Sequence, residues 1–367
     1  MFHFSDLKHR CLAPMFHFLR FETSVPGTDV SFDGTYYIKY NKYRSLFSQN
    51  KYILAGCVID MNKTNYIMSD EEKAYLESYD MSQYDCPSLT ADIAVFAILK
   101  NEESNEYRKD PEQKLGILLI KRGGFPYKGC WALPGGFSNK DEDLHQTALR
   151  ELKEETSVEN AFLEPFGVFS TPGRDPRGWV VSQGFLALID RKDEKVSAGS
   201  DAGAAEWFSI DVSREEMKKH VLKTKAEIRT KYSIHLENGN VNEGVEPIII
   251  DAVVEEIRVF DNHHETISYD IIDGGSLAFD HAEIIVRAFK SLHKQANDMG
   301  RIIFDLMPEK FTLYSLQDAY EIVLGEKLTT PNFRRKIAPY VTETNETITG
   351  VGHRPAKLFK RNLDAFY

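Results

Sequence analysis

The period of apolar positions changes several times along the chain. Two nearly unbroken apolar runs, "TADIAVFAILK" from Thr90 and "KLGILLIKRG" from Lys114, are too continuous for half-exposed strands and predict strands buried on both faces. The polar stretch between them, "NEESNEYRKDPEQ", predicts an exposed loop. "FLEPFGVFSTPG" and "GWVVSQGFLALID" predict two further strands around the turn-rich "TPGRDPRG". Spacing near 3.6 takes over in "HQTALRELKEET" and in "FDHAEIIVRAFKSLHKQANDMG", the latter an amphipathic helix that should close the domain. Between them, residues 213–270 read as an insertion, with "SREEMKKHVLKTKAEI" helical and "ENGN" turning a hairpin. Upstream, "TYYIKYNKY" and "KYILAGCVID" predict strands, and "SDEEKAYLESYD" a helix capped by Ser69.

Composition narrows the class. At 367 residues with 42% hydrophobic content the chain suits two or three packed units. No apolar run reaches the roughly 20 residues that span a bilayer, so no membrane association is expected. The aromatic start "MFHFSDLKHRCLAPMFHFLRFE" is broken by charge and reads poorly as a signal peptide. Cys11, Cys57, Cys86 and Cys130 lie far apart with no CxxC spacing, which argues against a zinc site or a disulfide framework and for the cytoplasm. The net charge of −11 is uneven: residues 327–361 hold eight basic side chains against two acidic ones, which leaves −17 for the rest. A basic tail on an acidic body points to a separate role for the tail.

The densest chemistry lies in "WALPGGFSNKDEDLHQTALRELKEETSV". At about 100° per residue, Glu154 and Glu155 fall about 60° and 40° to either side of Glu151, so three carboxylates share one stripe. Ala148, Leu149 and Leu152 occupy the adjoining arc and can anchor the helix. Most Glu-rich stripes are solvated faces. Hard oxygen donors grouped behind a glycine turn also suit Mg²⁺ or Mn²⁺, which would relieve their repulsion.

These residues resemble the Nudix box. Gly136, Glu142 and the run Arg150-Glu151-Leu152-x-Glu154-Glu155-x-x-Val158 stand at that family's spacing, with "WALPGG" ahead of them. The resemblance implies an α+β chain: a Nudix α/β/α sandwich with a mixed sheet over 83–297, an N-terminal extension over 1–82 with no assigned role, and a further domain over 301–367. It implies that Glu151, Glu154, Glu155 and the Gly136 carbonyl hold Mg²⁺ or Mn²⁺, and that Arg150, paired with Glu142, orients the glutamates in hydrolysis of a nucleoside diphosphate derivative. The family's glycine near the helix end is Ser157 here, which tolerates a left-handed stop less well. The general base varies within the family. Glu255 and Glu256 are candidates, with an ordinary strand-end role the stronger expectation.

Two further segments refine the expectation. "TPGRDPRGW" supplies Arg174, Asp175 and Arg177, whose arginines could grip a diphosphate, though a plain surface turn has the same composition. The stretch resembles the loop of ADP-ribose-binding Nudix proteins. "SLAFDHAEII" resembles another segment of that subgroup, which places Phe279 and His281 near the ligand. "FTLYSLQDAYEIVLGEKLTTPNFRRKIAPYV" reads as helix, turn, helix: Gly325 stops the first helix, Thr330 caps the second, and Pro331 takes its first position. Phe333, Arg334, Arg335 and Lys336 would face DNA, and "TGVGHRPAKLFKR" would form a wing presenting Arg354, Lys357, Lys360 and Arg361 to phosphate. A basic tail is also compatible with a merely solvated surface. The order of "FTLYSLQDAYE", "NFRRKI" and "RPAKLF" resembles the winged-helix half of NrtR-type regulators. The first expectation is a metal-dependent hydrolase that cleaves ADP-ribose or a relative to AMP and a sugar phosphate. The alternative is a regulator that binds a DNA operator and senses ADP-ribose without turnover, and both roles can coexist. A homodimer is expected from the resemblance alone.

Overall fold

A computed structural model describes residues 51–54, 57–60, 69–100, 113–158, 161–190, 202–238, 246–298, 301–348 and 355–365. The chain divides into two compact units, Met1–Met81 and Ser82–Tyr367. In the first unit, strands β1 (Lys51–Leu54) and β2 (Cys57–Asp60) pair antiparallel, so the single strand expected from "KYILAGCVID" is a hairpin. Helix α1 (Asp70–Ser78) begins at Ser69, whose hydroxyl accepts the Glu72 N–H. "TYYIKYNKY" and the 101–112 loop lie outside the described residues.

The second unit is built on β3 (Ser88–Lys100) and β4 (Gln113–Arg122), where both apolar runs form strands. Residues of β3 alternate between two cores. Ala91, Ile93, Val95 and Ala97 pack under α2 (Leu144–Thr156), which follows the short strands β5 (Trp131–Ala132) and β6 (Gly135–Phe137). Ala94 and Phe96 face the opposite layer. Strands β7 (Phe162–Phe169), β8 (Val180–Leu188), β9 (Ala202–Val221), β10 (Lys225–Asn238), β11 (Ile248–Asp261) and β12 (His264–Asp273) complete a sheet in the order β12-β11-β10-β9-β4-β3-β8-β7, with β3 and β8 parallel and the other pairs antiparallel. Helix α3 (His281–Asn297) covers the second face, which gives the α/β/α sandwich with a mixed sheet.

Residues 213–228 correct the helical expectation. They form the distal part of β9, a tight turn and the start of β10, paired from Val221↔Ala226 back to Ser213↔Ser233. The acidic pair at 215–216 followed by lysines mimics helical i, i+3 charge pairing. In the strand, Lys218 instead meets Glu216 two residues away on the same face, at 3.1 Å. β9 has no breaker after its core segment at Trp207–Ile210, so sheet pairing carries the chain onward. The "ENGN" turn lies mostly outside the described residues, while β10 and β11 pair antiparallel across it. The 213–270 segment thus continues the same sheet.

The C-terminal part is a winged helix. α4 (Leu313–Leu324) starts with a capping box between Thr312 and Ser315 and stops at left-handed Gly325. α5 (Thr330–Ile337) follows, then β13 (Val341–Ile348) and β14 (Ala356–Arg361) as the wing. The cap of α5 is Thr329 rather than Thr330, which moves Pro331 to the second helical position. Leu292 and Ala296 of α3 share one continuous buried cluster with Ile303, Leu316, Tyr320 and Phe333 as well as with Phe96 and Phe208 of the sheet. The winged helix is therefore fused to the sandwich through α3.

Ser157 ends α2 in the left-handed region (φ 65°, ψ 11°), with its N–H on the Lys153 carbonyl. The helix stop is kept at a steric cost that glycine would avoid. Ser157→Gly is expected to raise stability by about 0.5–1 kcal/mol, after allowing for glycine's greater freedom in the unfolded chain. The urea midpoint at unchanged slope measures it.

Candidate functional site

The double glycine is explained by close approach. β6 pairs with β3 so tightly that a Cβ at Gly135, where φ is 155°, would lie 2.1 Å from the Ala91 carbonyl oxygen. A Cβ at Gly136 would lie 2.4 Å from a Glu151 carboxylate oxygen. Glu151 therefore rests directly on the Gly136 backbone, in a cradle that any side chain would fill.

α2 aims its acidic stripe at this turn because Ala148 and Leu152 are buried on the neighbouring face. Arg150 organises the stripe. It donates to Glu142 through Nε (2.8 Å) and a terminal nitrogen (3.0 Å), to Glu151 (2.7 Å), to Glu154 (3.1 Å) and to the Phe137 carbonyl (3.0 Å). Its hydrogen bond holds the Glu142 pKa down at about 2. Burial raises the Glu151 pKa, and burial together with the nearby Glu151 charge raises that of Glu155 to about 8, although the Gly135 N–H donates to Glu155 at 2.8 Å. Among the described residues no three acidic, histidine or cysteine side chains converge as a metal-holding group; Arg150 takes Glu151 and Glu154, and the Gly135 N–H takes Glu155. The donor set still fits a hard divalent cation: three carboxylates and the Gly136 carbonyl are all oxygen, and their crowding is the kind that a cation relieves.

The GRDPRG turn separates its two arginines. Arg174 is turned inward, with a side chain 6% exposed. It donates bidentately to Asp280 (2.7 and 2.7 Å) and approaches Asp92 at 3.3 Å, so it does not project outward to grip a ligand. Arg177 is the outward one, 41% exposed and pinned by buried Asp175. Its guanidinium lies 4.7 Å from the Phe137 ring centre and 5.4 Å from that of Phe279. Arg122, at the end of β4, lies 4.8 Å from the other partner of this cluster, the Phe279 ring. Tyr127 packs on Phe279 at 4.7 Å, and both have positive φ (60° and 51°). For aromatic residues that is strain of the kind found at ligand clamps. Burial, and then the charge of Arg177, push the Arg122 pKa down. Arg122, Tyr127, Phe137, Asp92 and Asp280 escape sequence reading because only the fold brings them beside the box.

His281 is a core residue rather than a ligand-facing one. Its Nδ1 accepts the Leu133 N–H at 2.8 Å, and Nε2 lies 3.7 Å from Asp92. It is 4% exposed, and burial lowers its pKa. A histidine held neutral by the fold contributes stability that is complete above its ordinary pKa and is lost as pH falls below about 6.5, because the unfolded chain takes up the proton first. His281→Asn can keep the acceptor for Leu133, and wild type is expected to lose more stability than this variant between about pH 7.5 and about pH 5.5. Paired urea titrations test this.

The candidate bases are committed elsewhere. Glu256, 2% exposed, accepts from Arg258, Lys290 and Tyr269, and Glu255 accepts from Arg229 at 2.9 Å. In the winged helix, Arg334, Arg335 and Lys336 are exposed on α5. Phe333 is not: at 2% exposure it packs on Tyr320 at 5.5 Å, since helical spacing puts it and Ile337 on the core face. Lys357 is exposed and pairs across the wing with Glu343 at 2.6 Å. Lys360 is exposed, but Arg361 turns inward to Asp305 at 2.9 Å and so faces no phosphate. Arg354 lies outside the described residues.

A sandwich carrying this glycine turn and glutamate helix has the architecture of a Nudix domain, and comparison with known proteins agrees. Residues 93–228 match the NUDIX domain, and residues 303–360 match the NrtR DNA-binding winged helix domain. The chain thus carries a NUDIX domain followed by a winged helix domain of the NrtR type. It is 29% identical over 298 residues to an ADPR responsive transcriptional repressor of Acinetobacter baylyi, covering 80% of this chain and 90% of the relative. It is 45% identical over 95 residues to an ADP-ribose pyrophosphatase of Methanocaldococcus jannaschii, covering 26% of this chain and 55% of that protein. A MutT/nudix family protein of known structure from Enterococcus faecalis superposes with a TM-score of 0.53 at 27% identity, over 81% of this chain and all of that one. No helix among the described residues is long and apolar enough to cross a membrane.

Proposed function

We propose that this chain is a DNA-binding transcriptional regulator whose NUDIX domain takes ADP-ribose as its ligand. The observation that carries the reading is the shared core: the helix bordering the Phe279 cluster is packed into the same buried cluster as the winged helix. Choice of ADP-ribose is supported by the GRDPRG turn and by the activities named for the two relatives. Arg177 and Arg122 offer paired cationic groups for a diphosphate, while Phe279, Phe137 and Tyr127 offer planar faces for a base. Arg334, Arg335, Lys336 and Lys357 would take DNA phosphates. A homodimer belongs to the proposal and is tested by light scattering.

A second reading adds hydrolysis to AMP and ribose 5-phosphate, and the intact set Arg150, Glu151, Glu154, Glu155 and Gly136 favours it. Glu151, Glu154, Glu155 and the Gly136 carbonyl would hold Mg²⁺ or Mn²⁺. Such an ion, when bound, supplies charge neutralisation on phosphate oxygens and a more acidic water. Arg150 holds Glu142 on one side and presents Glu151 and Glu154 on the other, so its role is positioning. The Gly135 N–H fixes one Glu155 oxygen.

The test is incubation of the full chain with ADP-ribose and Mg²⁺, measuring AMP release and, separately, ADP-ribose binding by calorimetry. Binding without AMP removes the hydrolytic reading and leaves the regulator standing. Absence of binding overturns the ligand assignment. A duplex from upstream of its own gene should bind with strong salt dependence, and salt-insensitive or absent binding overturns the regulator.

A further inference from the structure

The GRDPRG turn faces two ways. Arg177 lies outward against the Phe137 and Phe279 rings, the proposed ligand pocket, while Arg174 reaches inward to Asp280, the residue immediately before α3. An aspartate at that position ordinarily caps its helix by accepting first-turn N–H groups. Asp280 makes no such bond: its backbone (φ −96°, ψ 20°) lies outside the extended region that a side-chain cap uses, and its carboxylate is held by Arg174. The helix start is held by the loop instead of capping itself. Phe279, one residue earlier, is strained at φ 51° and carries the ring that borders Arg122 and Arg177. At its other end α3 buries Leu292 and Ala296 in the cluster that contains Leu316 and Tyr320 of α4.

We infer that Asp280 is a two-position coupling switch, bound either to Arg174 or to the N-terminus of α3, through which occupancy of the pocket is passed to the DNA-binding helices. The inference rests on the ADP-ribose reading and deepens it by naming how that site is read out. A diphosphate that draws on Arg177 moves the turn it shares with Arg174, and a base that displaces the Phe279 ring moves the residue that enters α3. Either movement loosens the Arg174–Asp280 pair and lets the backbone at Asp280 turn to the extended conformation in which its side chain caps α3. Close-packed interiors pass such a discrete shift along a helix instead of absorbing it. Asp280 paired with Arg174, as observed, and Asp280 capping α3, as inferred, are the two arrangements of the bistable element that such coupling requires.

The experiment measures the affinity of the full chain for its upstream duplex with and without saturating ADP-ribose, in wild type and in Asp280→Asn. Asparagine caps helices as well as aspartate does but loses the charged pairing to Arg174. In wild type, ADP-ribose should change DNA affinity by about 5- to 150-fold, and DNA should change ADP-ribose affinity by the same factor. Asp280→Asn should bind ADP-ribose more tightly than wild type, because it no longer meets the cost of switching, show without ADP-ribose the DNA affinity of the liganded wild type, and respond to it by less than a quarter of the wild-type factor. A full wild-type response in this variant overturns the switch. Hydrogen exchange on wild type alone keeps the inference testable if the variant misfolds: ADP-ribose should alter protection at the start of α3 and in α4, and a change confined to the pocket loops overturns the switch. Wild type that binds ADP-ribose with no effect on DNA affinity overturns the coupling but not the ligand assignment. Wild type that does not bind it overturns both.

Discussion

On the hydrolytic reading, Gly136→Ala is expected to lower AMP release from ADP-ribose by on the order of 10²-fold, because it displaces one carboxylate by about an ångström without removing any charge. The added Cβ would meet Glu151 at 2.4–2.7 Å on three of its atoms. Glu151 must therefore swing off the β6 backbone and away from Arg150, which holds it at 2.7 Å. The loss should fall mainly on kcat, since Arg177, Arg122 and Phe279, the groups proposed to hold the ligand, lie on other elements. Gly124→Ala is the control: a Cβ there meets nothing within 4 Å, so turnover should be unchanged. Turnover of Gly136→Ala at the wild-type rate, in protein with an unchanged urea midpoint, would mean that the Glu151 carboxylate is not required where it lies.

The acidic stripe was legible in the sequence for a local reason. One helix and one adjoining turn build it, and both obey short-range rules: helical periodicity and the steric freedom of glycine. The same holds for the buried strands β3 and β4 and for the stop at Gly325. What was not legible depends on contacts distant in sequence. Arg174 and Arg177 look equivalent in "GRDPRG", yet Asp280, more than a hundred residues away, takes the first and leaves the second. His281 looks like a ligand-facing histidine until Leu133 and Asp92 are seen to occupy its ring. The residues 213–228 carry a helical charge pattern, but a long β9 already paired to β4 extends through them. In each case a partner elsewhere in the chain outweighed the local signal.

Arg174 also shows how a motif can be matched while a role moves. The turn that presents two arginines to solvent in an extended chain here uses one of them to hold α3. That leaves Arg177 beside the Phe279 ring, where Arg122 from β4 also lies. The cationic pair at the Phe279 ring is thus drawn from two different elements, and only one of its members belongs to the loop.

The second large effect is expected in the winged helix, where neighbouring residues of α5 should fail for opposite reasons. Arg334 and Arg335 are exposed and contribute nothing to the core, so their joint replacement by alanine should leave the urea midpoint within about 0.5 kcal/mol of wild type. Each arginine that neutralises a phosphate releases about 0.9 counterion, so the slope of log affinity against log salt should shrink by about 1.8 for the pair. Affinity should fall across all duplexes at low salt and converge towards wild type as salt rises. Phe333 carries no charge and is buried against Tyr320, in the cluster that joins α5 to α3. Phe333→Ala should therefore cost about 3–5 kcal/mol of stability, and whatever folded protein remains should keep the wild-type salt slope. An unchanged slope in the double arginine variant would remove α5 from the DNA-facing surface. A stable Phe333→Ala variant with selectively weakened DNA binding would return Phe333 to that surface, against its burial.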